Sequence, residues 1–175
     1  MQDTIESETS FREAVSEQTR LLDLLGIAVI PLILLVVYAL PQSTRMDFVL
    51  YYTRPTILTA YMAHFVHLGV EHLLLNVLFY VVLVPTIYLC WTLSGRRKTF
   101  VVIFAAILLF FPFLLSWVNL SLLRHRFGFG FSGVNAALLG SLPLALAELL
   151  RRRIDLNIDL SYSPLYFFVG AAIIA

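Results

Sequence analysis

Charge is scarce in this sequence. Only 13% of its 175 residues are Asp, Glu, Lys or Arg, against about 25% in a soluble domain. Hydrophobic residues make up 60%, and the mean hydropathy is +0.89. A water-soluble globule is excluded, because the excess apolar residues lie in long blocks. Apolar–polar alternation is missing too, which argues against a β-barrel. There is one cysteine, Cys90, so no internal disulfide can form. It sits in an apolar segment and reads as an ordinary buried or lipid-facing side chain. The net charge of +1 carries no argument for a nucleic-acid partner, and none is expected. No repeat or low-complexity segment is evident, and the polar first 20 residues do not read as a secretory leader.

What is present is a polytopic, all-α membrane bundle. Residues 1–20 form a polar tail with five acids and two arginines. The first span is expected over Leu21–Leu40, enough residues to cross a hydrocarbon core of ~30 Å, with Pro31 as a candidate kink. Residues 41–71 are too polar to span, carrying Arg45, Asp47, Arg54, His64, His67 and Glu71, yet they are rich in aromatics. They read as a segment at or partly in the interface, serving as an aromatic belt or a gating element. Further spans are expected over His72–Leu93, Thr99–Asn119, which contains Pro112, and Ser132–Leu150. A fifth apolar run begins at Pro164 and covers 12 residues to Ala175, ~18 Å of helix and too short to span. The expectation is that the parent chain continues.

Basic residues near span ends set the orientation. With the N-terminus inside, eight Lys/Arg lie on inner segments and four on outer ones, so the positive-inside rule favours a cytoplasmic N-terminus.

Polar residues inside spans are costly and mark candidate sites. His72 and Asn76 are four apart at the start of the second span and share a helix face. The fourth span opens from a glycine-rich turn, Gly128-Phe129-Gly130-Phe131-Ser132-Gly133. Ser132 is placed to act as a helix N-cap or as a nucleophile beside the amides of a helix start. Asn76 lies 20 residues before Arg96, and Ser132 lies 19 before Arg151. At 1.5 Å per residue these are ~30 and ~28 Å above the inner charges, so the two sit at one level near the outer face.

H-x-x-x-N at the start of one span, followed by G-x-S-G at the start of the span two later, resembles the rhomboid family of intramembrane serine proteases. The resemblance covers residues 21–175, four spans and part of a fifth of a six-helix core, with residues 1–20 as a cytoplasmic tail. It implies Ser132 as nucleophile, and His72, Asn76 and the Ser132 amide as oxyanion donors. Gly130 and Gly133 shape the turn, and His67 occupies a place where the family often has a histidine. Small residues Gly133, Ala136, Ala137 and Gly140 would pack against another small-faced helix. The family's general base is a histidine on the sixth helix. This chain has only His64, His67, His72 and His125, all before Ser132. The base is therefore expected beyond residue 175.

The resemblance implies single-pass transmembrane substrates, residence in the lipid bilayer, and no metal or other cofactor. A prokaryotic cell membrane is expected from the compact plan and short tail. A rhomboid-like protein that binds membrane clients without cutting them, and an unrelated transporter or scaffold, are the alternatives. The Asn119-Leu120-Ser121 sequon is noted as a short glycosylation pattern.

Overall fold

The computed structural model describes residues 19–122 and 127–153. The N-terminal tail, residues 123–126 with His125, and everything after Arg153, including the fifth apolar run, lie outside the described residues. Four helices are long and apolar enough to cross a membrane. They are α1 (Leu21–Ala39), α4 (Val70–Leu93), α5 (Arg97–Leu122) and α6 (Ser132–Arg153). The chain is thus a helical bundle of multi-pass membrane type. Span limits differ from the sequence reading by one to three residues, the charged Arg97, Lys98 and Arg151–Arg153 being taken into the helices. Between α1 and α4 run α2 (Gln42–Asp47), β1 (Leu50–Tyr51), α3 (Ile57–Met62) and a 3-10 turn at Ala63–Phe65. β1 pairs antiparallel with β2 (Phe127–Gly128), a two-rung ladder that the all-α expectation lacked.

None of the four prolines inside these spans ends its helix, and for two of them the hydrogen bonds show how the freed carbonyl is satisfied. A proline lacks an N–H and orphans the carbonyl four residues earlier. Pro31 leaves the Ile27 carbonyl free, and the Tyr80 hydroxyl of α4 donates to it at 2.9 Å. Pro112 leaves the Leu108 carbonyl free, and the Tyr61 hydroxyl of α3 donates to it at 3.1 Å. Inside lipid such carbonyls have no water to turn to, so a neighbour's hydroxyl satisfies them. Each repair also fixes one element against another.

The two ends of the bundle differ. At one end Asp23 of α1 takes both contacts from Arg97, at 2.7 and 2.6 Å, and accepts from the Tyr88 hydroxyl at 3.1 Å. Beside it Glu148 of α6, only 1% exposed, pairs with Arg96 at 2.9 Å, Arg151 at 2.8 Å and Arg152 at 2.6 Å. Arg151 and Arg152 of the basic triplet and Arg96 of the α4–α5 loop thus share one buried carboxylate, while Arg153 Nε donates to the Leu93 carbonyl at 3.2 Å. Replacing Glu148 by glutamine is expected to lower the unfolding midpoint in detergent by a few degrees. The effect stays moderate because the three guanidinium groups are a third to a half exposed and rehydrate easily. An unchanged midpoint would mean that the knot contributes nothing to stability.

At the other end, the α1–α4 connection and the glycine turn form one unit. The β1–β2 ladder joins them, and the Gly130 amide donates to the Ala63 carbonyl at 3.0 Å. Helices α4 and α6 both start at this end and run toward the basic one. The small residues of α6 are used within the bundle. A Cβ on Gly133 would meet Leu115 of α5 at 2.8 Å, and Ala137 and Gly140 are buried. Ala136 is half-buried and lines an open pocket.

Candidate active site

Ser132 is the first residue of α6, exposed, with Phe131 before it accepting the Asn135 amide at 3.0 Å. The capping place therefore falls on Phe131. Among the described residues no hydrogen bond engages Ser132 Oγ, so the hydroxyl is not spent on holding the helix start.

His72, Asn76 and Ser132 come together. All three line one open, largely apolar pocket of ≈ 390 Å³, with Leu75, Phe79, Asn135 and Ala136. Asn76 is buried, and two bonds fix its carboxamide. Its Nδ2 donates to the His72 carbonyl at 2.8 Å, and its Oδ1 accepts from Asn135 Nδ2 at 3.2 Å. A carboxamide carries two N–H donors, and only one is used here. The second remains for a ligand in the pocket.

Asn135 was not singled out from the sequence. It is buried and also donates to the Asn76 backbone carbonyl at 3.0 Å. The signal was available, since an amide one turn after Ser132 in an apolar span is the same kind of costly residue as Asn76.

Gly130 has φ +104°, outside what side chains favour, and an added Cβ would lie 2.5 Å from His72 Cε1. The turn is therefore pressed against the His72 ring. That ring also meets Phe129 edge-on at 5.8 Å and His67 at 4.9 Å between centroids. His67 is fully buried, and its Nε2 accepts from the Phe131 amide at 3.4 Å. Its own carbonyl accepts from the buried Arg45 guanidinium, which stacks 4.5 Å over Tyr38. One histidine thus ties the residue before Ser132 to the α1–α4 connection.

Burial, and secondarily the neighbouring His72, push the His67 imidazole down to about 4. Burial also lowers His64. Both favour the neutral form in the fold, so the folded state holds fewer protons than the unfolded one below the ordinary histidine value near 6.5. Their stabilisation is complete above about pH 6.5 and, for His67, is lost as the pH falls toward 4. The unfolding midpoint is expected to fall across that window. His67→Gln, which keeps an acceptor for the Phe131 amide, should remove the His67 share of the slope. An unchanged slope in that variant would show that His67 does not titrate with folding.

His64 takes a different place. Ser116 Oγ donates to the Ala60 carbonyl at 2.6 Å and therefore accepts from His64 Nε2 at 3.0 Å. His64 also lines a second cleft, of ≈ 200 Å³, together with Leu115, Asn119, Gly130, Ser132 and Gly133. Ser132 stands between the two cavities and borders both. Asn119 sits inside α5 against this cleft, which is no place for a glycosylation acceptor. Among the described residues no three His, Cys, Asp or Glu side chains are grouped to hold a metal ion.

The arrangement offers an unengaged hydroxyl at a helix start, a free carboxamide donor and an imidazole around one pocket. Compared with family models, curated proteins and solved structures, the chain finds no match in any of the three.

Proposed function

We propose that this chain is the catalytic part of a rhomboid-type intramembrane serine endopeptidase. The observation that carries the reading is the meeting of Ser132 with His72 and Asn76 from another span around one pocket, with a donor of Asn76 left over. In the proposed reaction a histidine from outside the described residues takes the proton of Ser132 Oγ. The oxygen bonds to a peptide carbonyl of a single-pass substrate whose helix has locally opened. Asn76, His72 and the Ser132 amide receive the developing oxyanion, where one such donor is worth about 2.7–4 kcal/mol. Collapse breaks the C–N bond, and the base returns its proton to the leaving amine. Water, activated by the same base, then releases the acyl group. The cleft shared by Ser132 and His64 supports a place for that water or for one small side chain. The orientation that goes with this reading has the basic end cytoplasmic and the site near the outer face of a prokaryotic cell membrane.

Non-cleaving client binding is the second reading. It is favoured by one fact: among the described residues nothing hydrogen-bonds Ser132 Oγ as a base would. The two separate on covalent labelling. A fluorophosphonate probe applied to membranes holding the full-length protein is expected to modify Ser132, and not Ser94, Ser116 or Ser141, in mapped peptides. Absence of the adduct at Ser132 would remove the protease reading and leave the client-binding one.

A further inference from the structure

A third cavity lies away from the Ser132 site, in the α1–α4 connection. It has a volume of ≈ 310 Å³ and is lined by Met46, Asp47, Val49, Tyr51, Arg54, Thr56 and Thr59. That is the lower end of the range for small-ligand sites. Its two threonines are spent. Thr59 Oγ donates to the Thr56 carbonyl at 3.1 Å, and the two hydroxyl oxygens lie 2.9 Å apart in a reciprocal cap at the start of α3. The charged groups of the lining are one carboxylate, Asp47, and one guanidinium, Arg54. Both are exposed, and among the described residues no ion pair joins them.

An open concavity with one anion and one cation that do not neutralise each other suits a ligand carrying both charges. Asp47 opposes a bare anion, and Arg54 opposes a bare cation. Ile57 and Leu58, between the two lining threonines in sequence but not themselves in the lining, are 81% and 59% exposed. Polar lining beside outward apolar side chains, in a protein with four membrane-spanning helices, is the arrangement of an interfacial element. We infer that this cavity binds the headgroup of a zwitterionic phospholipid with a primary amine, phosphatidylethanolamine. The phosphate lies against Arg54, the ammonium against Asp47, and the acyl chains run over Ile57 and Leu58.

The amine is specified by what the cavity lacks. A primary ammonium offers three N–H donors to a carboxylate, whereas a trimethylammonium offers none and needs open aromatic faces. The aromatic ring here, Tyr51, is already covered by Arg54, whose Cζ lies 5.0 Å from the ring centre. Choline therefore finds neither donor pairing nor cage. Because α3 leads directly into the turn that bears His64, a lipid held here also fixes the segment packed beneath the glycine turn.

The test is native mass spectrometry of the full-length protein in detergent, titrated with dioleoyl lipids of ethanolamine, choline and glycerol headgroup. Wild type is expected to retain the ethanolamine lipid at least fivefold better than the choline one. Asp47→Asn should bring the two within twofold, and Arg54→Gln should weaken both. Exposed Asp47 joins no hydrogen bond or ion pair among the described residues, and exposed Arg54 only stacks over Tyr51, so Asp47→Asn is expected to keep the wild-type melting profile and Arg54→Gln to stay close to it. Equal retention of ethanolamine and choline lipids by wild type would overturn the proposal. So would a preference that survives Asp47→Asn. Tighter binding of the glycerol-headgroup lipid would identify a plain anion site and overturn it as well. Soluble glycerophosphoethanolamine separates lipid from free headgroup, since competition as strong as the intact lipid would remove the role given to Ile57 and Leu58.

Discussion

Replacing Ser132 by alanine is expected to abolish cleavage of a single-pass substrate, with a loss of about 10⁴-fold or more, while the melting profile in detergent stays at the wild-type value. The two halves of this expectation come from separate observations. Losing a nucleophile in a unit of residues that act together removes nearly all the acceleration that the unit supplies. The fold should not notice, because Ser132 is exposed and, among the described residues, its hydroxyl makes no hydrogen bond. Helix α6 is held elsewhere: by Asn135 on Asn76, by buried Val134 and Leu138, and by the Glu148 knot at its far end. Cleavage by the variant at more than a hundredth of the wild-type rate would take the nucleophile role away from Ser132. A collapsed melting profile would instead return the serine to a structural part in the helix start.

Much of this architecture can be read in the sequence because membrane spans are a composition signal. Long apolar blocks bounded by Arg96-Arg97-Lys98 and Arg151-Arg152-Arg153 mark where α4 ends, α5 begins and α6 ends. Counting back from those charges also places Asn76 and Ser132 at one level. The structure gives that ruler two fixed ends: Arg96 and Arg151 meet on Glu148, and Asn76 meets Asn135, one turn from Ser132. A count of residues works here since both helices rise by the same 1.5 Å per residue between two shared contacts.

What escaped was pairing at long sequence separation. Tyr61 belongs to the aromatic-rich 41–71 segment and Tyr80 to an apolar span, and nothing local says that their hydroxyls repair the carbonyls freed by Pro112 and Pro31. Glu148 was not singled out from the sequence, although burial and three cations make it the hub of that end. The β1–β2 ladder is two residues on each side, too short to leave a periodic trace. Asn135 was legible in principle and was passed over for its small neighbours. His67 was noted only for its place. Its hydrogen bond to the Phe131 amide spans 64 positions, and only the folded chain makes it visible.

Gly130→Ala is the second substitution with a large expected effect, and it tests the site's geometry rather than its chemistry. A Cβ at φ +104° is strained whatever surrounds it, and here it would also lie 2.5 Å from His72 Cε1 and 3.0 Å from His72 Nε2. Either the turn or the imidazole has to move. On the proposed reading, movement of the ring takes an oxyanion donor out of place, and movement of the turn displaces Ser132 two residues on. Each route predicts a loss of roughly 10²–10³ in kcat, the size seen when one such donor is removed. The stability cost should be about 1–2 kcal/mol from the backbone alone, with the clash added to it. The double variant Gly130→Ala, His72→Ala separates the two contributions. With the imidazole gone the clash is relieved, so the melting point should recover part of the way toward wild type, while activity stays as low as in either single variant. Full activity in Gly130→Ala would mean that the pocket tolerates a shift of the turn, and that the close seat of Gly130 on His72 serves packing alone. Recovery of activity in the double variant would show that His72 is no donor to the reacting carbonyl, and the oxyanion would then rest on Asn76 and the Ser132 amide.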